Sequence, residues 1–139
     1  MTETACAGER RAECHCGKLG VTVRGEPAHV YACSCKACQK RSGSAFTYAA
    51  LYPEAAVTIE GGWKTWAQAG DSGRLVETSF CPNCGVTVFF RGEGLAGLIG
   101  VPVGCFADPG FMKPSRLYWA SRKHRWLDLG GGIPQMETQ

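Results

Sequence analysis

Along most of this chain apolar and polar residues alternate in short runs and do not recur every three or four positions. LGVTVRG (19–25) alternates with β-branched residues, the pattern of a half-buried strand. AHVYAC (28–33), AFTYAALY (45–52) and AVTIEG (56–61) read the same way, the last two separated by a turn signal at Pro53-Glu54. WKTWAQ (63–68) and RLVETSF (74–80) flank AGDSG, which predicts a hairpin loop. GVTVFFRG (85–92), SRLYWAS (115–121) and RWLDL (125–129) complete the set of predicted strands, while AGLIGVPVG (96–104) is apolar but too glycine-rich to show a period. No window carries a helical period of useful length. Short strands at short spacing, punctuated by turns, predict a mainly β domain.

Residues 1–12 are polar and predict a flexible N-terminal tail, residues 13–135 a single domain, and 136–139 a C-terminal tail at the end of GGGIPQMETQ. The 19 glycines and seven prolines fit many turns. A chain of 139 residues with 45% hydrophobic and 19% charged residues buries a core without needing disulfides. MTETACAGERRAE has no apolar segment of a secretory signal, and no apolar run approaches a membrane span, so the expected setting is cytoplasmic and off the membrane.

In a reducing compartment nine cysteines point to metal, and their odd number excludes complete disulfide pairing. They fall into three local groups: Cys14-His15-Cys16, Cys33-Ser34-Cys35-Lys36-Ala37-Cys38, and Cys81-Pro82-Asn83-Cys84-Gly85. The last is a zinc-knuckle spacing, in which a C-x-x-C turn directs two sulfurs to one point and the following glycine admits backbone N–H groups. The redox reading of C-x-x-C needs a βαβ context that this pattern lacks. A knuckle supplies two ligands. Pairing it with the C-x-C gives a closed four-thiolate site from Cys14, Cys16, Cys81 and Cys84, tying the N-terminal strand to the middle of the domain. Cys33, Cys35 and Cys38 then remain together. Three protein ligands and an open position is the arrangement of a catalytic zinc. Spacing leaves alternatives open: a fourth ligand from His29, His15, Cys105 or His124, or one site with spare thiols. His15 reads as a surface residue, Cys105 as a core thiol and Cys6 as a free thiol in the tail.

The segments CHCGKLGVTV, ACSCKACQKRSGSAF, VTIEGGWKTW, DSGR, SFCPNCGVTVFF and PSRLYWASRKHRWLDL resemble the glutathione-dependent formaldehyde-activating enzyme family, which includes centromere protein V-like proteins. The resemblance runs over about residues 13–135. It implies a β-tent fold of antiparallel sheets with two Zn²⁺ ions. It gives the structural one to Cys14, Cys16, Cys81 and Cys84, and the catalytic one to Cys33, Cys35 and Cys38. It also implies a carbon–sulfur lyase-type activity joining glutathione and formaldehyde into S-hydroxymethylglutathione. Glutathione carries two carboxylates. Lys36, Lys40 and Arg41 beside the three-cysteine group are candidates to hold them, and Arg122, Lys123 and Arg125 form a second basic group. Both groups read equally as solvated loop charges. Trp63 and Trp66, three apart, are expected on opposite faces of a strand, and the tryptophans in general in core packing or a rim.

A zinc module that binds glutathione, protein or nucleic acid without catalysis is the competing class. The formal charge of +3 and pI near 8.4 argue against nucleic acid, because bound thiolates would offset most of that charge and the basic residues form no continuous block.

Overall fold

The computed structural model describes residues 8–139, and Cys6 lies outside them. Ten strands form two sheets. The smaller has the order β1-β2-β5, from β1 (Glu9–Glu13), β2 (Gly20–Arg24) and β5 (Val57–Glu60), all antiparallel. The larger has the order β10-β3-β4-β9-β8-β7-β6. Its members are β3 (His29–Cys33), β4 (Thr47–Pro53), β6 (Lys64–Ala69), β7 (Leu75–Phe80), β8 (Thr87–Gly92), β9 (Leu98–Pro102) and β10 (Leu117–Tyr118). The mainly β prediction holds. One pairing departs from an antiparallel sheet: β10 runs parallel to β3. No helix among the described residues is long and apolar enough to cross a membrane.

The core lies where the two sheets meet. Val21 and Val23 of β2 pack with Ala50 and Tyr52 of β4, Val88 and Phe89 of β8, and Ile99 and Val101 of β9. In β4 four consecutive residues, Ala49 to Tyr52, are buried. Alternate residues of a strand face opposite sides. Ala50 and Tyr52 therefore join the inter-sheet core, while Ala49 and Leu51 join Phe90 on the other face. Gly100 makes that second layer possible, because a Cβ there would lie 2.2 Å from the Phe90 ring. This outer face of the larger sheet carries the site described below.

Three predictions of the chain's outline are corrected. Glu9–Glu13, placed largely in the tail, is a strand paired with β2. Its charges hide an alternation in which Ala12 is buried and Arg10 is half-buried, with the Arg10 guanidinium 5.1 Å over the Phe111 ring. A helix, α1 (Lys36–Ser42), interrupts the strands. Seven residues with Cys38 as their one buried member leave no helical period to read, although Gly43 closes the helix in the left-handed conformation that glycine accepts most readily. RWLDL forms turns instead of a strand: Trp126 is exposed and Leu127 packs with Ala32 and Leu117. The C-terminal segment is also held. Leu117 N–H donates to Pro134 O, Met136 N–H to Leu117 O and Ala120 N–H to Met136 O.

Candidate metal centres and the adjoining cleft

Cys14 follows β1 and Cys16 lies in the β1–β2 turn. Cys81 follows β7 and Cys84 lies in the β7–β8 turn. Their four sulfurs lie within 4.8 Å of one another, with Cys14 to Cys16 at 3.7 Å and Cys16 to Cys81 at 3.6 Å. Tetrahedral Zn²⁺ with Zn–S bonds of about 2.3 Å requires sulfurs about 3.8 Å apart, so the set fits the ion. Backbone N–H groups already serve the sulfurs: Leu19 N–H donates to Cys14 Sγ at 3.3 Å and Asn83 N–H to Cys81 Sγ at 3.4 Å. N–H groups of Cys16 and Val86 push the Cys84 thiol down to about 6. Gly85, at φ 81°, turns the chain so that its N–H reaches Cys81 O at 2.8 Å. The four thiols join the turn of a hairpin in the small sheet to the turn of a hairpin in the large one.

The second cluster is built locally. Cys33 ends β3, Cys35 caps α1, and Cys38 lies in its first turn. All three are buried, with their sulfurs within 4.8 Å of one another. The Cys35 sulfur accepts from Cys38 N–H at 3.3 Å, and Arg41 Nη2 donates to Cys38 Sγ at 3.3 Å. The neighbouring Cys33 and Cys38 thiols push the Cys35 thiol down to about 2, and the same closeness pushes Cys33 up. Three buried sulfurs this close together suit a shared cation, which would hold them as thiolates.

None of the other candidate ligands joins this cluster. His29 Nε2 pairs with Tyr118 OH at 3.2 Å and its Nδ1 faces Ser115 Oγ at 3.4 Å. His15 and His124 are exposed. Cys105, pushed up to about 11 by burial, donates to Thr87 O and packs with the inter-sheet core, as expected of a core thiol. The three cysteines line a narrow cleft with a cavity volume of about 80 Å³. Tyr31 and Phe90 from the outer sheet face, Trp119, and the guanidinium-bearing Arg41 and Arg74 line it too.

Of the basic residues predicted beside the cluster, only Arg41 reaches it. Lys36 and Lys40 are exposed and do not line this cleft. Arg122 serves another purpose: it pairs with Asp71 and stacks 4.5 Å over the Trp119 ring. Asp71, from the β6–β7 loop, also accepts from the Lys36 and Ala37 N–H groups at 2.9 and 3.2 Å, so it caps α1 from outside. Trp119 adopts φ 55° and ψ 42°, a conformation costly for a bulky residue, at the wall of the cleft. Trp63, Trp66 and Trp126 are exposed; Trp63 precedes β6 and lies edge-on to Phe89 at 5.4 Å. Asp71 and Arg74 stand in the DSGR segment of the resemblance and at the AGDSG loop, and Tyr31 in the strand AHVYAC, but none of the three had a role assigned from the sequence.

The family profile described as "Glutathione-dependent formaldehyde-activating enzyme" matches residues 9–122. A Penicillium rubens protein named "Putative glutathione-dependent formaldehyde-activating enzyme" is 30% identical over 110 residues, covering 77% of this chain and 57% of that protein. A Phaeosphaeria nodorum protein of the same name is 31% identical over 80 residues, covering 56% of this chain and 42% of its own length. The chain thus spans about half the length of these relatives. A crystal structure of a Rhodobacter sphaeroides protein, a structural-genomics target, shares the fold at 22% identity with a TM-score of 0.54, covering 73% of this chain and 90% of that one. The profile match takes in nearly every strand and both cysteine clusters, and on that extent the chain belongs to the glutathione-dependent formaldehyde-activating enzyme family.

Proposed function

We propose that this chain joins a small thiol and an aldehyde reversibly, with glutathione and formaldehyde as the pair and S-hydroxymethylglutathione as the product, a carbon–sulfur lyase-type reaction. In this reading Cys33, Cys35 and Cys38 hold a catalytic Zn²⁺, and Cys14, Cys16, Cys81 and Cys84 hold a structural one. The observation that carries it is a buried three-thiol cluster, without a fourth protein ligand among the described residues, in the wall of a cleft with two arginines. Zn²⁺ with three thiolates keeps a position for a thiol or a carbonyl oxygen, lowering the pKa of one or polarising the other.

The chain's own residues would do the rest. Arg41 and Arg74 make no ion pair with a described residue, and beyond the Arg41 Nη2 contact to Cys38 Sγ their guanidinium donors would take the carboxylates of glutathione. Lys36 and Lys40 add positive potential at the surface without direct contact in the cleft. Phe90 and Leu95 make part of the floor apolar, which limits water around the sulfur. Asp71 fixes the start of α1, and with it Cys35 and Cys38.

Exchange spectroscopy with ¹³C-formaldehyde and glutathione tests this. The zinc-loaded protein is expected to accelerate exchange between free formaldehyde and the adduct, and Cys35→Ala to abolish the acceleration. Glutathione binding without acceleration would leave a glutathione-binding zinc module instead of an enzyme.

A further inference from the structure

Residues two apart on a strand share a face, so Tyr31 stands beside Cys33 on β3, on the outer face of the large sheet. Its ring packs against the three cysteines on one side and against Ala49, Leu51 and Phe90 on the other. His29 stacks on it at 5.6 Å and Tyr118 meets it edge-on at 5.7 Å, so the ring has little freedom. It lines the cleft at the cluster.

Of the other tyrosine hydroxyls, that of Tyr52 is buried in the inter-sheet core without a partner, and two are engaged. Tyr118 OH pairs with His29, and Tyr48 OH donates to Met112 O. The Tyr31 hydroxyl has no hydrogen-bonding partner among the described residues. Tyr31 is half-buried, and its hydroxyl is not among the fully buried polar atoms left without a partner, so the oxygen opens to the cleft. The fold makes no bond with this oxygen, which stands ready beside the cysteines to donate to whatever occupies the cleft.

We infer that the Tyr31 hydroxyl donates a hydrogen bond to the aldehyde oxygen as sulfur adds to the carbonyl carbon. This rests on the function proposed above. In that step a C–S bond forms and the C=O π pair moves onto oxygen. The proton lost by the thiol reaches that oxygen through solvent, giving a neutral hemithioacetal. Tyr31 keeps its own proton throughout. It supplies a fixed donor where negative charge grows, which favours the transition state over the bound thiol. The same bond holds the hydroxymethyl oxygen of the product, so it acts in both directions.

Tyr31→Phe removes one oxygen and leaves the stacked ring. Three quantities are read on the zinc-loaded protein: zinc content, the glutathione dissociation constant by calorimetry, and the affinity of the glutathione-saturated protein for ¹³C-formaldehyde by NMR. Zinc content and glutathione affinity are expected to stay within about twofold of the parent, while formaldehyde affinity falls about tenfold. Exchange should slow by about a hundredfold. Tyr118→Phe, which removes an oxygen already paired with His29, should leave formaldehyde affinity unchanged. A Tyr31→Phe protein that binds zinc and glutathione and retains formaldehyde as the parent does would overturn this inference alone. A variant that loses zinc or fails to fold would also overturn it, because the hydroxyl would then be structural. A parent protein that neither binds glutathione nor accelerates exchange would overturn the proposed function as well.

Discussion

Arg41 and Lys40 are neighbours in sequence, yet only Arg41 reaches the cysteines. The helix sets this: Arg41 lies three residues after Cys38 and so on its face, whereas Lys40 turns to solvent. Arg41→Gln is expected to weaken glutathione binding about tenfold, by loss of one charge-assisted contact. Lys40→Gln should change it by less than about twofold. Calorimetry on the two variants side by side reads the difference, and equal losses would return both residues to a diffuse role. The sequence marked the basic cluster but could not rank its members. Ranking needs the helix, and a seven-residue helix with one buried side chain leaves no periodic trace. Arg74 and Tyr31 reach the cleft from a different loop and strand, so their part becomes visible only once the sheet is assembled.

The helix itself depends on an element far away in the chain. Asp71, in the β6–β7 loop, accepts two N–H groups at the start of α1 and pairs with Arg122. Its side chain is mostly buried, at 12% exposure, so this is not a solvated surface pair. Asp71→Ala should cost about 1–2 kcal/mol of stability, the usual loss of a helix cap with a charged acceptor. Chemical denaturation measures that, and the same sample should hold less metal in the three-cysteine cluster than in the four-cysteine one. Most strands of this fold were legible from alternation, within a residue or two at their ends. Two elements were not. β1 conceals its inward face behind Arg10, whose stem is buried while its charge finds Glu26 at 3.8 Å and the Phe111 ring. RWLDL has strand-forming residues, yet it packs Leu127 against Ala32 and Leu117 from a turn.

At the scale of the molecule the two cysteine clusters draw their thiols from different distances along the chain. Cys14, Cys16, Cys81 and Cys84 bridge two sheets across more than sixty positions of sequence; Cys33, Cys35 and Cys38 belong to one six-residue segment. Closing a long loop with a metal constrains the unfolded chain far more than closing a short one. Cys84→Ala is therefore expected to abolish cooperative folding or lower the melting temperature by more than about 10 °C, whereas Cys35→Ala should remove one zinc and leave a folded domain. Differential scanning calorimetry with metal analysis distinguishes the two, and equal destabilisation would contradict this division of labour. The pairing of Cys14 and Cys16 with Cys81 and Cys84 was legible from spacing. The cleft was not, since it is walled by residues from five separate segments.

The central claim is that the three-cysteine zinc keeps a position open for the substrate thiol. Zinc content per chain, measured with X-ray absorption at the zinc edge before and after adding glutathione, tests it most directly. Two zinc ions per chain averaging fewer than four sulfurs are expected, with the sulfur count rising when glutathione is added. One zinc per chain, or two already at four sulfurs and unaffected by glutathione, would contradict it.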